Sequence, residues 1–428
     1  MSLLNDLDKR DIKTLYSIYR YRCLTLSQIY LNYYSDLDSF NKFTDTIVNK
    51  FIKHDLVEET LINNSTIVLF LTKNGIDFLK DYYNFPTEVF DEKTKTIKRG
   101  YYRAHELKML PRLVSHQIYL NQFVLDFIRL YNHRKLNTPF TYYDEKYVSQ
   151  YVGIRPDGLI NIFDIDFFLE MDMGTENKSQ LLEKWKHYRT FLNSNEYKLN
   201  DKKIIVLFII DNVSNTENRK NVVKLTASEI LLDSFDSNFD IIVGTKEELF
   251  RRVFNVIFPN ITQTNYKLEN LVNILYKKHN FSVADGEKIK NRLNNAYYNF
   301  YIRKVNSENN IVLENGRIQE FLLDFYYGDD LSSINKISYL DRNSSTFKHY
   351  YKRDINYIIV TNDFSTLKKE LSIYNIDLYM YENIFITTID RLDKFPFFQA
   401  LCQYDGMGRL YTFTDSSLKI RNYNVPNS

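Results

Sequence analysis

The stretch Asp157–Glu176, DGLINIFDIDFFLEMDMGTE, decides the fold. It carries Asp157, Asp164, Asp166, Glu170, Asp172 and Glu176 and no lysine or arginine, a net charge of −6 (six acids minus no bases). The β-prone runs PDGLINIF and DFFLEMDM meet at Asp164 and Asp166, residue types that favour turns. With the hairpin pivoting between Asp164 and Ile165, antiparallel pairing sets Asp157 opposite Asp172 and Leu159 opposite Glu170. Opposed residues project to one face, and alternation along a strand puts Glu170 and Asp172 on that same face. Asp157, Glu170 and Asp172 are therefore expected on one face at one end of the hairpin, and a one-residue slip would scatter them. Opposed like charges need a compensating cation, a nearby base or protonation. Oxygen-only ligands with room for water suit Mg²⁺ or Mn²⁺, which can activate a water and stabilise charge developing on a phosphodiester. Glu176 completes the candidate metal set. The plainer reading is a solvent-facing acidic strand edge, with Leu169, Met171 and Met173 on the buried face in either case.

The helix that follows, NKSQLLEKWKHYRTFL, has Leu181, Trp185, Tyr188 and Leu192 as its apolar stripe, with Lys184 at the rim. A rim lysine can bury its stem and turn its ammonium toward the carboxylates, or simply sit in water. Upstream, LVSHQIYLNQFVLDFIRLYN reads as an amphipathic helix and TPFTYYDEKYV as a strand that includes Glu145. Downstream come the strand KIIVLFIID, a helix, the strand FDIIVG and the helix KEELFRRVF. Helix, three strands, helix, strand, helix, strand makes a mixed α/β core over 113–260.

The first 85 residues read as a smaller unit. Asp8 or Asp11 caps a first helix, Thr25 a second, and Asp38 a third over SFNKFTDTIVNKFIKH. Two β-prone runs then flank the turn Asn63–Asn64–Ser65, and a last helix starts at Thr72. This is the order of a winged helix-turn-helix. The polar face of the third helix offers Asn41, Lys42, Thr44, Asn49, Lys50 and Lys53 to base edges and phosphates of double-stranded DNA. Residues 1–110 carry 16 basic and 15 acidic side chains, so the unit lacks a strong field of its own. The segment 86–112 reads as a linker whose Lys95, Lys98, Arg99 and Arg103 belong to a run, Lys93–Arg112, of seven bases against Glu106 alone. Such a run fits a phosphate track, and equally a solvated linker. Residues 261–428 form a C-terminal α/β unit. There INYIIVTND and NIFITTIDRL echo KIIVLFIID and FDIIVGTKEEL, which points to a degenerate second copy of the core.

Composition bounds the function. The 428 residues include 56 basic and 54 acidic side chains, net +2, which excludes a uniformly basic nucleic-acid coat. Two cysteines exclude a disulfide framework and a cysteine-rich zinc site. The longest apolar run, Ile204–Ile210, is far too short to span a bilayer. The opening MSLLNDLDKRD lacks the basic-then-apolar layout of a signal peptide, and a cytoplasmic protein without membrane insertion is expected.

RPDG at Arg155–Gly158, LEMDMGTE at Leu169–Glu176 and EKWKHY at Glu183–Tyr188 together resemble the replication-relaxation family of plasmid proteins. That family is related to the MOBC-type conjugative relaxases. The resemblance implies an N-terminal winged helix followed by a restriction-endonuclease-like core with a PD-(D/E)xK signature. It makes Asp157 the first metal ligand and Glu170 the second. The lysine of that signature would fall at Asp172, so its role has moved to Lys184 or the core no longer cuts. His116 lies on the helix before the core, and Glu145 offers a further ligand. The function expected on this basis is a Mg²⁺-dependent endonuclease that nicks plasmid or mobile-element origin DNA, with Asp157, Glu170, Asp172 and Lys184 as catalytic residues. The alternatives are a non-catalytic regulator of replication or transfer on a nuclease-like scaffold, and an assembly factor that docks accessory proteins or a second copy of itself.

Overall fold

The computed structural model describes residues 6–62, 65–83, 87–91, 96–136, 138–148, 151–211, 213–236, 238–259, 266–285, 300–314, 317–328, 331–352, 356–374, 376, 378, 381–413 and 421–422. The chain divides into two compact units, Met1–Thr175 and Glu176–Ser428. Each mixes helices and sheet.

The first unit begins with helix α1 (Lys9–Tyr21), short strand β1 (Leu24–Thr25) and helix α2 (Leu26–Tyr33). Both helices start in reciprocal capping boxes, Asp8 with Asp11 and Thr25 with Gln28, which satisfy otherwise orphaned backbone N–H groups. A third helical stretch runs through α3 (Phe40–Phe43), a π-turn at Thr44–Val48 and α4 (Asn49–Lys53). Ser39, not Asp38, caps it. The Ser39 hydroxyl accepts from the Lys42 N–H at 3.1 Å, while Asp38 pairs with the Lys42 ammonium. Strands β2 (Val57–Ile62) and β3 (Thr66–Leu71) pair antiparallel, and β1 adds to the other edge of β3. Of the turn read at Asn63–Asn64–Ser65, the two asparagines lie outside the described residues. Helix α5 (Lys73–Tyr83) follows, capped by Thr72, whose hydroxyl accepts from the Gly75 N–H.

The stretch read as a linker is structured where it is described. Strands β4 (Thr87–Asp91) and β5 (Thr96–Gly100) form an antiparallel hairpin, and α6 (Ala104–Leu107) precedes the 23-residue helix α7 (Pro111–His133). Three strands then form an antiparallel meander: β6 (Phe140–Asp144), β7 (Gly158–Ile162) and β8 (Ile165–Asp172). Glu145 is not on the strand. It opens the short helix α8 (Glu145–Val148), and its carboxylate lies 3.2 Å from Arg22.

The second unit starts with α9 (Lys178–Leu192), capped by Asn177 and Gln180. Its Trp185 is fully buried, with the indole N–H on the Thr226 hydroxyl at 3.1 Å. After α10 (Asn195–Lys198), strands β9 (Lys203–Ile210) and β10 (Phe239–Gly244) pair in parallel, with crossover helix α11 (Thr216–Leu231) between them and α12 (Lys246–Arg252) after. Their near-continuous apolar runs fit strands covered on both faces.

The rest of this unit repeats the same succession. Helix α13 (Tyr266–His279) leads into β11 (Phe281–Asp285) and β12 (Phe300–Lys304). The two-residue ladder of β13 (Leu313–Glu314) and β14 (Arg317–Ile318) interrupts before β15 (Glu320–Tyr326). Strands β11, β12 and β15 pair antiparallel. Helices α14 (Ser332–Arg342) and α15 (Ser344–Tyr351) come next, then parallel strands β16 (Asn356–Thr361) and β17 (Ile384–Thr387) joined by α16 (Phe364–Ile373). Helix α17 (Ile389–Lys394) follows β17, and the antiparallel strands Cys402–Tyr404 and Leu410–Phe413 extend the sheet beyond it. The segment 286–299 lies outside the described residues. Apolar side chains of α13, β15, β16 and α17 close one core cluster, and those of α14, α16 and the opposite sheet face another. Among the described residues no helix is long and apolar enough to cross a membrane.

Candidate active site

The acidic hairpin folds one step tighter than its sequence suggests. The turn sits at Phe163–Asp164, with Phe163 in the left-handed region at φ 53°, and Ile162 pairs with Ile165. Gly158 pairs with Leu169, and Asp157, just before the ladder begins, bonds to the same Leu169 instead of facing Asp172. The slip from the expected register is two residues, an even number, so the faces are unchanged. Glu170 and Asp172 share one face of β8, and Asp157 stands at the end of the ladder beside them.

Asp157 is tied to both neighbours of Glu170. Its N–H donates to the Leu169 carbonyl at 2.8 Å, and its Oδ2 accepts from the Met171 N–H at 2.7 Å. His116, on α7, brings Nε2 to 2.9 Å from the Met171 carbonyl and 3.4 Å from the same Asp157 oxygen. A carbonyl can only accept, so Nε2 carries a proton and points it between the two oxygens. His116 is the residue whose role the sequence does not disclose. Nothing in its helical spacing separates it from its neighbours, and only packing of α7 on the meander brings it to Asp157.

The acids differ in exposure. Every residue of β8 is buried, Glu170 and Asp172 at 2% exposure each, so the edge-strand reading fails. Asp157 remains partly open, at 23%. Asp172 directs Oδ1 to the Gly174 N–H at 2.9 Å, where Gly174 turns the chain at φ 73°. Asp166 accepts from the Asn161 amide at 2.5 Å and Asp164 is exposed in the turn, both structural.

Lys184 and Glu176, both in the second unit, meet each other: the ammonium lies 3.1 Å from the Glu176 carboxylate and 5.4 Å above the Phe208 ring. The Glu176 carbonyl accepts from Arg219 at 2.7 Å. Among the described residues no group of three or more His, Cys, Asp and Glu side chains is arranged to hold a metal ion. The first unit offers a pair, Asp157 and Glu170. One or two carboxylates completed by water and substrate phosphate is the usual donor set of Mg²⁺, so the pair fits that ion.

The sequence-read DNA contacts divide. Asn41, Lys42, Asn49 and Lys53 are exposed, and Thr44 is half-buried with its hydroxyl on the Asn41 carbonyl. Lys50 turns inward to the fully buried Asp11, which also accepts from the Tyr34 hydroxyl at 2.7 Å, so this lysine is structural. Arg103 is exposed, with its backbone N–H on Glu106. Lys98 and Arg99 lie on β5, with side chains outside the described set, and Lys95 lies outside the described residues altogether.

No curated protein and no solved structure matches the chain. Over residues 15–207, which run from α1 into β9 and contain the whole acidic hairpin, the chain matches the family model described as replication-relaxation.

Proposed function

We propose that the chain binds plasmid or mobile-element origin DNA and nicks it at a Mg²⁺- or Mn²⁺-dependent site held by Asp157 and Glu170. The observation that carries this reading is the tie of the partly open Asp157 to the backbone on both sides of Glu170, Leu169 and Met171, in a segment that matches the replication-relaxation family. The match supports a role in plasmid replication and relaxation. The succession from α7 through β6, β7 and β8 to α9 and β9 is the one a restriction-endonuclease-like core would have. The N-terminal order α1, β1, α2, α3–α4, β2, β3, α5 is that of a winged helix. Its third helix offers Asn41, Lys42, Asn49 and Lys53 to the major groove of double-stranded DNA.

A divalent cation bound there would lower the pKa of a bound water and offset charge growing on the phosphodiester. The chain's own groups prepare the site. The Met171 N–H fixes the Asp157 carboxylate beside β8, and His116 Nε2 lies 3.4 Å from the same oxygen. Lys184, paired with Glu176, serves that unit's own charge balance.

A second reading, a DNA-binding regulator on a silent nuclease scaffold, draws on Asp172. It stands where the signature has lysine and spends an oxygen on Gly174. Supercoiled plasmid carrying the cognate origin, incubated with Mg²⁺ or Mn²⁺, separates the two. Wild type should relax it and Asp157→Asn should not. Equal relaxation by both overturns the site, and salt-dependent origin binding without relaxation by either establishes the regulator.

A further inference from the structure

A second feature of the first unit is unused by the reading above. Tyrosines of α1, of the turn before α6, of β6 and of α8 surround a cavity of about 260 Å³. Six of its nine lining residues are tyrosine, with Arg20, Thr141 and Asp144 as the others. Tyr143 and Tyr147 stack with centroids 3.8 Å apart and planes 15° from parallel, and both are half-buried at the wall. Tyr19, Tyr142 and Asp144 are buried and form the floor. The floor is fixed by local bonds: the Tyr19 hydroxyl accepts from the Tyr102 N–H at 2.9 Å, and Arg20 donates to the Tyr142 carbonyl at 2.6 Å. Lys146, on α8, places its ammonium 5.5 Å above the Tyr102 ring.

This combination has a chemical preference. Parallel and half-open aromatic faces accept a flat π-system, and a polar floor can pair with its edge. Cations at the rim can meet a phosphate on either side. A purely apolar ligand would strand the floor's hydroxyl and carboxyl groups. We propose that the cavity receives one nucleobase of a single-stranded DNA segment, stacked on the Tyr143–Tyr147 pair, with Arg20 and Lys146 beside its backbone. The proposal rests on the DNA-binding reading and extends it from the duplex to a melted strand. It is independent of the metal site, because none of the lining residues is Asp157, Glu170 or His116.

The test uses the full chain and single-stranded oligonucleotides from the melted origin, each carrying 2-aminopurine at one position. Quenching at one position on binding supports the pocket, and the absence of quenching at every position overturns it. Tyr143→Ala and Tyr147→Ala should weaken single-strand binding about tenfold each. Tyr143→Phe, which keeps the stacking face, should bind as wild type. Unchanged affinity in the alanine variants, with circular dichroism unaltered, overturns the proposal. An oligonucleotide abasic at the quenched position should bind as weakly as the alanine variants do, and equal binding to the intact oligonucleotide counts against the pocket. Duplex origin binding is measured alongside. Its retention in the alanine variants confines a failure to the pocket, whereas its absence in wild type is a failure of the DNA reading itself.

Discussion

The Asp157 carboxylate is held by the Met171 N–H at 2.7 Å, across the strand from the residue it would share a cation with. One side chain thus does two jobs that substitutions can separate. Asp157→Asn keeps an oxygen for the Met171 N–H and removes the charge. Thermal stability should change little while relaxation is lost. Asp157→Ala should lose relaxation and also about 1 kcal/mol of stability, because a backbone donor loses its partner at a partly open position. Calorimetry beside a gel assay reads both, and loss of stability in Asp157→Asn would show that the carboxylate is structural.

Lys50 and Lys53 sit three residues apart but should behave oppositely. Lys50→Met leaves the buried Asp11 carboxylate without its cation and should cost about 2–3 kcal/mol, the Tyr34 hydroxyl and the Asp8 N–H still donating to it. Lys53→Met, at an exposed position, should leave stability within about 0.5 kcal/mol and lower the salt dependence of DNA binding by about one counterion. Denaturant titration and binding at two salt concentrations distinguish them. The reverse pattern would remove the third helix from the DNA surface.

Asp144 carries a pH signature. Burial holds its carboxyl above the usual carboxylate range, against the lowering effect of Arg22. A raised folded-state pKa means that its contribution to stability is present below the unfolded value near 4 and is lost as pH rises through the folded one. Asp144→Asn removes that loss. The variant should gain stability relative to wild type as pH rises above about 4, read as a difference in melting temperature that grows until the folded-state carboxyl has ionised. A constant difference across that range would mean that the carboxyl ionises normally.

Much of this was legible in sequence, for identifiable reasons. The apolar runs that became β8, β9, β10, β16 and β17 are long and uninterrupted, and the caps at Asp8, Thr25 and Thr72 are local. Local chemistry is what sequence patterns report. The shared face of Glu170 and Asp172 was also legible, because it needs only alternation along one strand. The register was not, since a left-handed Phe163 in the turn is nothing its residue type announces. Helix α8 hid behind β-prone tyrosines, and β12 behind a run rich in asparagine and lysine. The inward turn of Lys50 and the approach of His116 depend on partners 39 and 41 residues away, Asp11 and Asp157, beyond any local pattern.

The element orders of 111–252 and 266–394 are alike, and the strands β8 and β15 can be laid side by side. FFLEMDMG at 167–174 and FLLDFYYG at 321–328 both end on a left-handed glycine, Gly174 at φ 73° and Gly328 at φ 97°. Leu169 pairs with Gly158, and Leu323 with Phe300. Asp324 therefore stands in the place of Glu170. Asp324 is fully buried against Lys336 at 2.8 Å. Lys336→Met should cost about 3–5 kcal/mol by removing the cation from a buried carboxylate, while Asp324→Leu combined with Lys336→Met should come within about 1 kcal/mol of wild type. A mild effect of the single change would show that the carboxyl is already neutral.

The buried pair at Asp324 and Lys336 also makes the chain its own reference. Two acidic strands of one chain are read by the same solvent, salt and temperature, one with Asp157 beside it and one with its acid neutralised from within. Any cation that acts on the first through Asp157 and Glu170 should pass the second by, so site-resolved hydrogen exchange near β8 and β15 in a single sample would carry both the measurement and its blank.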